Sequence, residues 1–259
     1  MKILKFLLAT LIAVCFAGCY EVNEEIIIND NGSGTYVTKM DLSQLIDMMQ
    51  TMGAGQEISK DGMDRKIDTV IMMKSILDSA KDATPEQKEL MKDAKMALKM
   101  DVKEKIFNIN LDFPFKKLEN LQALMGGMGG NASGLTSVFK NIFGKEEGKK
   151  EELDAPKDPP LGDMNSIFDV TVKKGLISKK LNQARYKTVM EKPEMAQIKD
   201  VSSSGMEVLY TTVIKLPRPV KKVDNPMIKL SADKKTVTMK YNYLELFETP
   251  EKFAYTIEY

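Results

Sequence analysis

The sequence predicts an α+β fold: a mostly antiparallel sheet built from hairpins, with helices inserted and packed mainly on one face. Three observations lead there. Apolar residues alternate at period two in several stretches, Phe107, Ile109, Leu111 and Phe113 among them, the pattern of a half-buried strand. Turn-forming clusters such as Asn29-Asp30-Asn31-Gly32-Ser33-Gly34 separate such stretches, and short turns join antiparallel neighbours. Between the strand pairs lie helix-start signals, of which Thr84-Pro85-Glu86-Gln87 is the clearest, with proline at the first helical position. Strand pairs with helices between them bury one sheet face under those helices.

Taken in order, Val22, Ile26 and Ile28 share one face of a first strand, and Tyr36-Val37-Thr38 form its return. Asp41-Leu42-Ser43-Gln44 reads as a capping box opening a helix with Leu42, Leu45, Ile46, Met49 and Met52 on one face. Gly53-Ala54-Gly55 ends it. A second helix is expected from near Asp64, with Ile67, Val70, Ile71 and Leu77 in one stripe, and a short third from Thr84. Met96, Leu98, Met100 and Val102 then alternate, so two strands meet near Lys103-Glu104. Leu118, Leu121, Leu124 and Met125 mark a helix starting around Pro114.

The C-terminal part is richer in strands. Phe168, Val170 and Val172 alternate, and a helical stretch runs from about Ala184 to Lys199. Val208, Tyr210, Thr212 and Ile214 form a strand stopped by Leu216-Pro217-Arg218-Pro219. Ile228 and Leu230 pair with Val237, Met239, Tyr241 and Tyr243 across Ser231-Ala232-Asp233-Lys234, and Phe253 to Tyr259 closes the chain as a strand. The organisation expected is a leader over 1–18, an N-terminal part of the body over 19–125, a Gly-rich and charged insertion over 126–160, and the rest of the same body over 161–259.

The leader carries the most specific motif. Lys2 and Lys5 precede an apolar run, Phe6 to Phe16, that ends in Phe16-Ala17-Gly18-Cys19. A basic start, a short apolar middle and a small-residue site make a secretory signal. The run is too short to cross about 30 Å of hydrocarbon, which takes about 20 residues. These residues resemble the lipobox of bacterial lipoproteins, Leu-Ala-Gly-Cys, with Phe16 where leucine is usual. The resemblance covers residues 1 to 19. It implies cleavage before Cys19, lipidation of its sulfur, and anchorage to a bilayer through acylated Cys19. Tyr20 in place of aspartate after the cysteine is compatible with outer-membrane delivery.

Composition narrows the chemistry. The chain has no His and no Trp, and its two Cys are Cys15, in the leader, and Cys19. Acid–base work by imidazole and the usual zinc ligands are therefore missing, and no metal or cofactor is expected. An exported body with no thiol pair relies on a packed core. Loss of Lys2 and Lys5 with the leader takes the formal charge from +1 to −1, which argues against nucleic acid as a partner. The 19 methionines suit a soft core or an adaptable apolar surface.

Other motifs dissolve on inspection. Asn29 to Met40 follows the first half of a calcium loop, but Met40 stands where a bidentate glutamate belongs. Gly127-Met128-Gly129-Gly130-Asn131-Ala132 matches a dinucleotide fingerprint without the strand that must precede it. Ser137-Val138-Phe139-Lys140 and Ser231-Ala232-Asp233-Lys234 match Ser-x-x-Lys without companion motifs. No catalytic residue emerges.

Two surface features are stronger. Lys173, Lys174, Lys179, Lys180, Arg185 and Lys187 occur in a stretch free of acids, a candidate basic patch facing anionic headgroups. Leu135, Val138, Phe139, Ile142 and Phe143 form an apolar face between flexible segments, a candidate amphipathic docking helix.

A hairpin bearing Asn31-Gly32-Ser33-Gly34 just after the cysteine, followed by helices and late strands, resembles the LppM-type domain of bacterial lipoproteins. That resemblance implies an envelope lipoprotein handling lipid or glycolipid, and it transfers no binding residues. The expected function is a non-catalytic binding module, lipid-anchored in the bacterial envelope at the outer membrane, for a lipidic ligand or an envelope protein. The alternatives are a structural subunit of an envelope complex and a hydrolase with a carboxylate pair. A ligand binder should show an apolar cavity lined by Met and Ile, and a scaffold a filled core with an exposed apolar patch.

Overall fold

A computed structural model describes residues 19–44, 46, 66–79, 84–128, 164–192, 195 and 207–259. Among these, twelve strands form two sheets, with short helices between them. The strands are β1 (Cys19–Ile28), β2 (Gly34–Asp41), β3 (Ile67–Met72), β4 (Lys95–Asp101), β5 (Ile106–Phe115), β6 (Phe168–Lys173), β7 (Leu176–Leu181), β8 (Glu207–Lys215), β9 (Lys222–Val223), β10 (Lys229–Leu230), β11 (Thr236–Asn242) and β12 (Tyr255–Glu258). The helices are α1 (Met73–Ser79), α2 (Pro85–Met91), α3 (Leu118–Ala123) and α4 (Gln183–Met190). The α+β class holds.

The larger sheet runs β10-β11-β8-β1-β2-β5-β4-β3 and the smaller β6-β7-β12-β9. All pairings are antiparallel except β1 with β8, which run parallel from Cys19–Glu207 to Ile27–Lys215. A parallel pair needs a long crossover, and here the chain makes six other strands, β2 to β7, and the four helices before returning beside β1. The smaller sheet lies over the inner face of the larger. Ile26, Ile214 and Val237 of the one share a core with Val172, Ile177 and Ile257 of the other and with Leu121 and Leu124.

The first hairpin follows from its turn residues. Asn29 donates its amide to the Ser33 carbonyl at 2.8 Å, and Gly32 takes a φ of +82°, which glycine adopts without strain. Gly34 is fixed by crowding, because a Cβ there would lie 1.8 Å from the Ile27 carbonyl oxygen and 2.5 Å from the Phe115 ring. Thr84 and Gln87 form a reciprocal capping box at α2, and Lys105, with φ +54°, turns β4 into β5. The turn at Ser231–Lys234 and the closing strand also stand where the sequence places them.

Four expectations need correction. The helix expected from Asp64 is strand β3 over Ile67–Met72, with helix only from Met73. Ile67, Val70 and Ile71 satisfy helical spacing, but a run of β-branched residues favours the pleated state. The strand turns Ile67, Thr69 and Ile71 inward and leaves Val70 and Met72 exposed at 65% and 44% on the sheet edge. The helix expected from Pro114 starts at Leu118. Pro114 instead ends β5 beyond the last β4 pair, Lys95–Asp112, where the strand has a neighbour on one side and proline is tolerated.

The third correction is β7, a strand the periodicity does not reveal, joined to β6 through Gly175 at φ +82°. The fourth is the glycine-rich start of the insertion: residues 124–128 continue α3 as a wider helical turn, and Gly127, with φ +92°, packs against Asn165 and Ser166. The rest of the insertion, including Leu135, Val138, Phe139, Ile142 and Phe143, lies outside the described residues, as does most of the helix expected after Leu42.

Candidate functional site

Strand β1 places its inward side chains at Val22, Glu24, Ile26 and Ile28. Three are apolar and one is an acid, so the alternation that buries the strand also drives a carboxylate toward the interior. Its neighbours meet it. In the sheet ladder Glu24 stands between Thr212 on β8 and Thr38 on β2, and one row away Tyr210 pairs with Tyr241 of β11.

The carboxylate is held by hydroxyl groups. Thr212 donates to Oε2 at 2.9 Å, Tyr210 donates to Oε1 at 3.3 Å, and Tyr36 donates to Oε1 in a short bond. The rings around it pack on one another. Tyr210 stacks on Tyr241 with centroids 5.2 Å apart and on Tyr243 at 5.5 Å, while Tyr241 meets Phe253 edge-on at 4.6 Å. Such pairs each contribute about 0.5–1.5 kcal/mol beyond the area they bury. Burial first, and then the Glu24 charge, push the hydroxyls of Tyr36, Tyr210, Tyr241, Tyr243 and Tyr255 above the ordinary tyrosine value. Five of the eight tyrosines therefore respond to a single carboxylate.

The facing sheet supplies the opposite charge. On β7, Ile177 and Lys179 turn inward, paired to Ile257 and Tyr255 of β12. The Lys179 ammonium sits 4.4 Å from the centre of the Phe168 ring, a cation–π contact. Burial pulls the Lys179 pKa down, and the Glu24 charge offsets part of that. The two charges do not close into an ion pair.

A cavity of about 30 Å³ lies between the sheets, lined by Glu24, Lys179, Tyr210, Thr212 and Tyr255 together with Met125, Met227 and Met239. That is room for on the order of two water molecules. It adjoins an outer groove of about 470 Å³, lined by Lys180, Asp224, Pro226, Met227, Ala254 and Tyr255. Lys179, Met227, Lys252 and Tyr255 line both spaces, so the cavity is the inner end of the groove. Three methionines line it, but its centre is polar, unlike the apolar Met and Ile cavity expected. Seven methionines lie buried among the described residues, from Met73 to Met239, and most of them fill core. Among the described residues no cluster of three or more acidic or cysteine side chains is placed to hold a metal ion.

Of the six basic residues singled out in the sequence, Lys173 and Lys180 share one face of the β6–β7 pair and Lys179 turns to the other. Lys179 points into the cavity while its neighbour Lys180 is exposed, because successive strand residues point to opposite sides. Arg185, on α4, is tied to Asp169, and Lys187 is exposed on the same helix. Lys173 and Lys174 adjoin Gly175, whose carbonyl accepts from Tyr259. Lys221 in turn donates to the Glu258 carbonyl, and Val220 to that of Lys234, where β8 ends. That is the end of the sheet away from Cys19, eight residues or about 26 Å along the strand. Lys179 thus faces the cavity, and the other five basic residues are exposed.

Cys19 is the first residue of β1 and is paired with Glu207. Glu24 follows it by five residues, about 17 Å along the same strand. Reading by periodicity missed Glu24 as a site residue, and it placed Lys179 in a surface patch and not in a cavity. The available signal was a charge in phase with buried neighbours, Val22-x-Glu24-x-Ile26 and Ile177-x-Lys179-x-Leu181.

No family model matches the chain, and no curated protein matches it. Among solved structures, the chain is similar to the folded domain of Mycobacterium tuberculosis LppM, determined by NMR, with a TM-score of 0.33 and 10% identity over 94% of this chain and 92% of that one. At that score nothing is transferred from it to this chain.

Proposed function

We propose that the protein is an envelope lipoprotein, acylated at Cys19 and delivered to the outer membrane, whose body is a non-catalytic binding module for a lipidic ligand. The observation that carries this reading is the continuity of β1: the anchor residue opens the strand, and Glu24 of the site lies on it about 17 Å further on. With no linker between them, acyl chains on Cys19 hold the groove within one molecular length of a bilayer. Two or more chains on one residue make such attachment stable. Among the described residues no helix is long and apolar enough to cross a membrane.

The groove suits an amphiphile. Pro226, Met227, Ala254 and Tyr255 give apolar floor, and Lys179, Lys180 and Lys252 with Asp224 and Glu251 give a rim of mixed charge. Extraction from membranes in mild detergent, followed by lipid analysis of the purified protein, tests the reading. About one phospholipid or related amphiphile per chain is the expected result, and a lipid-free protein that also refuses added lipid contradicts it.

A further inference from the structure

Glu24 and Lys179 face the same cavity without meeting. A carboxylate has about four acceptor positions, and three on Glu24 are filled by Tyr36, Tyr210 and Thr212. One position on Oε2 remains toward the cavity. Lys179 spends its charge on the Phe168 ring, which satisfies none of its three donors as a hydrogen bond. Opposite charges withdrawn from water and held apart are unfavourable unless something bridges them. A zwitterion, with its cation toward Glu24 and its anion toward Lys179, answers both charges at once.

The geometry also sets the size and order of such a group. About 30 Å³ admits an ammonium, which is close to a water molecule in size, and is too small for a trimethylammonium. Tyr210, Tyr241, Tyr255 and Phe253 line the same space, and aromatic side chains favour a cation. The groove beyond adds Lys180, exposed and in no ion pair among the described residues, beside the apolar floor and together with Lys252, Asp224 and Glu251.

We propose that the gap between Glu24 and Lys179 seats the head group of an aminophospholipid, its ammonium against Glu24 and its phosphate in the groove against Lys179 and Lys180. This rests on the lipid-binding reading above and names its ligand class. The test is native mass spectrometry of the full acylated chain in non-ionic detergent. The chain is offered an equimolar mixture of phosphatidylethanolamine, phosphatidylcholine and phosphatidylglycerol with matched acyl chains. The ethanolamine lipid is expected to dominate the bound fraction by about tenfold over each competitor, and Glu24→Gln to remove that preference while the glycerol lipid still binds.

Lys180→Ala, an exposed change that leaves the core intact, should weaken ethanolamine and glycerol lipids together by several fold. Equal retention of ethanolamine and choline lipids, dominance of the glycerol lipid, or an unaltered order in Glu24→Gln overturns the head-group assignment and leaves lipid binding standing. Displacement by O-phosphoethanolamine at the same concentration as the lipid overturns it in favour of a free small molecule. Absence of every adduct overturns both readings.

Discussion

Raising the pH above about 10 should unfold this protein in one steep step, because five tyrosines crowd a single carboxylate. Burial, and then the Glu24 charge, raise the hydroxyls of Tyr36, Tyr210, Tyr241, Tyr243 and Tyr255. In the unfolded chain the same hydroxyls lose their protons near pH 10. From there up to the folded-state values the unfolded chain holds fewer protons, so stability falls as pH rises. It is fully present below about pH 10. One unit higher each group costs about 1.4 kcal/mol, and five together cost at most about 7 kcal/mol.

A domain's whole stability is about 5–15 kcal/mol, so this one contribution removes a large part of a typical reserve near pH 11. Lys179 acts in the other direction. Its folded-state value is lowered, so there the unfolded chain holds the extra proton and stability rises with pH, one proton against five. Tyrosinate absorbance and far-ultraviolet circular dichroism, followed on one sample, read the outcome. Tyrosinate should form cooperatively between about pH 10.5 and 11.5, together with loss of the strand signal. A smooth titration near pH 10 with the strand signal intact would refute the buried tyrosine cluster.

Two substitutions probe the frame around it. Gly34→Ala forces a Cβ to within 1.8 Å of the Ile27 carbonyl oxygen and should cost more than about 3 kcal/mol in denaturant melts; an unchanged midpoint contradicts the close approach of β1 and β2. Lys179→Glu sets a second carboxylate across the cavity from Glu24 and should destabilise by about 3 kcal/mol or more, whereas Lys180→Glu should stay within about 0.5 kcal/mol. Equal effects of the two would mean that β7 is turned the other way.

Local periodicity reached much of this fold. The Asn29–Gly34 turn, the β4–β5 hairpin and the β10–β11 hairpin are each written in a few adjacent residues. What failed did so for identifiable reasons. Ile67, Val70 and Ile71 fit helical and strand templates alike, and only the β-branching separates them. In β7, Ser178-Lys179-Lys180 interrupts the apolar run, so a strand that buries Ile177 and Ser178 and half-buries Lys179 reads as a charged surface.

Pairing was out of reach altogether. Glu24 and Thr212 are 188 residues apart, and no local pattern says that β8 returns parallel to β1. The site was therefore visible only as two anomalies, an acid and a lysine each in phase with buried neighbours. Their meeting across two sheets needed the structure.

The tether itself is tested most directly by the intact mass of the protein purified from membranes. The account requires a chain that starts at Cys19 and carries the mass of a diacylglyceryl group with N-acylation, and that reverts to a plain polypeptide when Cys19 is replaced by alanine. A mature chain beginning elsewhere, or an unmodified Cys19 on a freely diffusing protein, contradicts it.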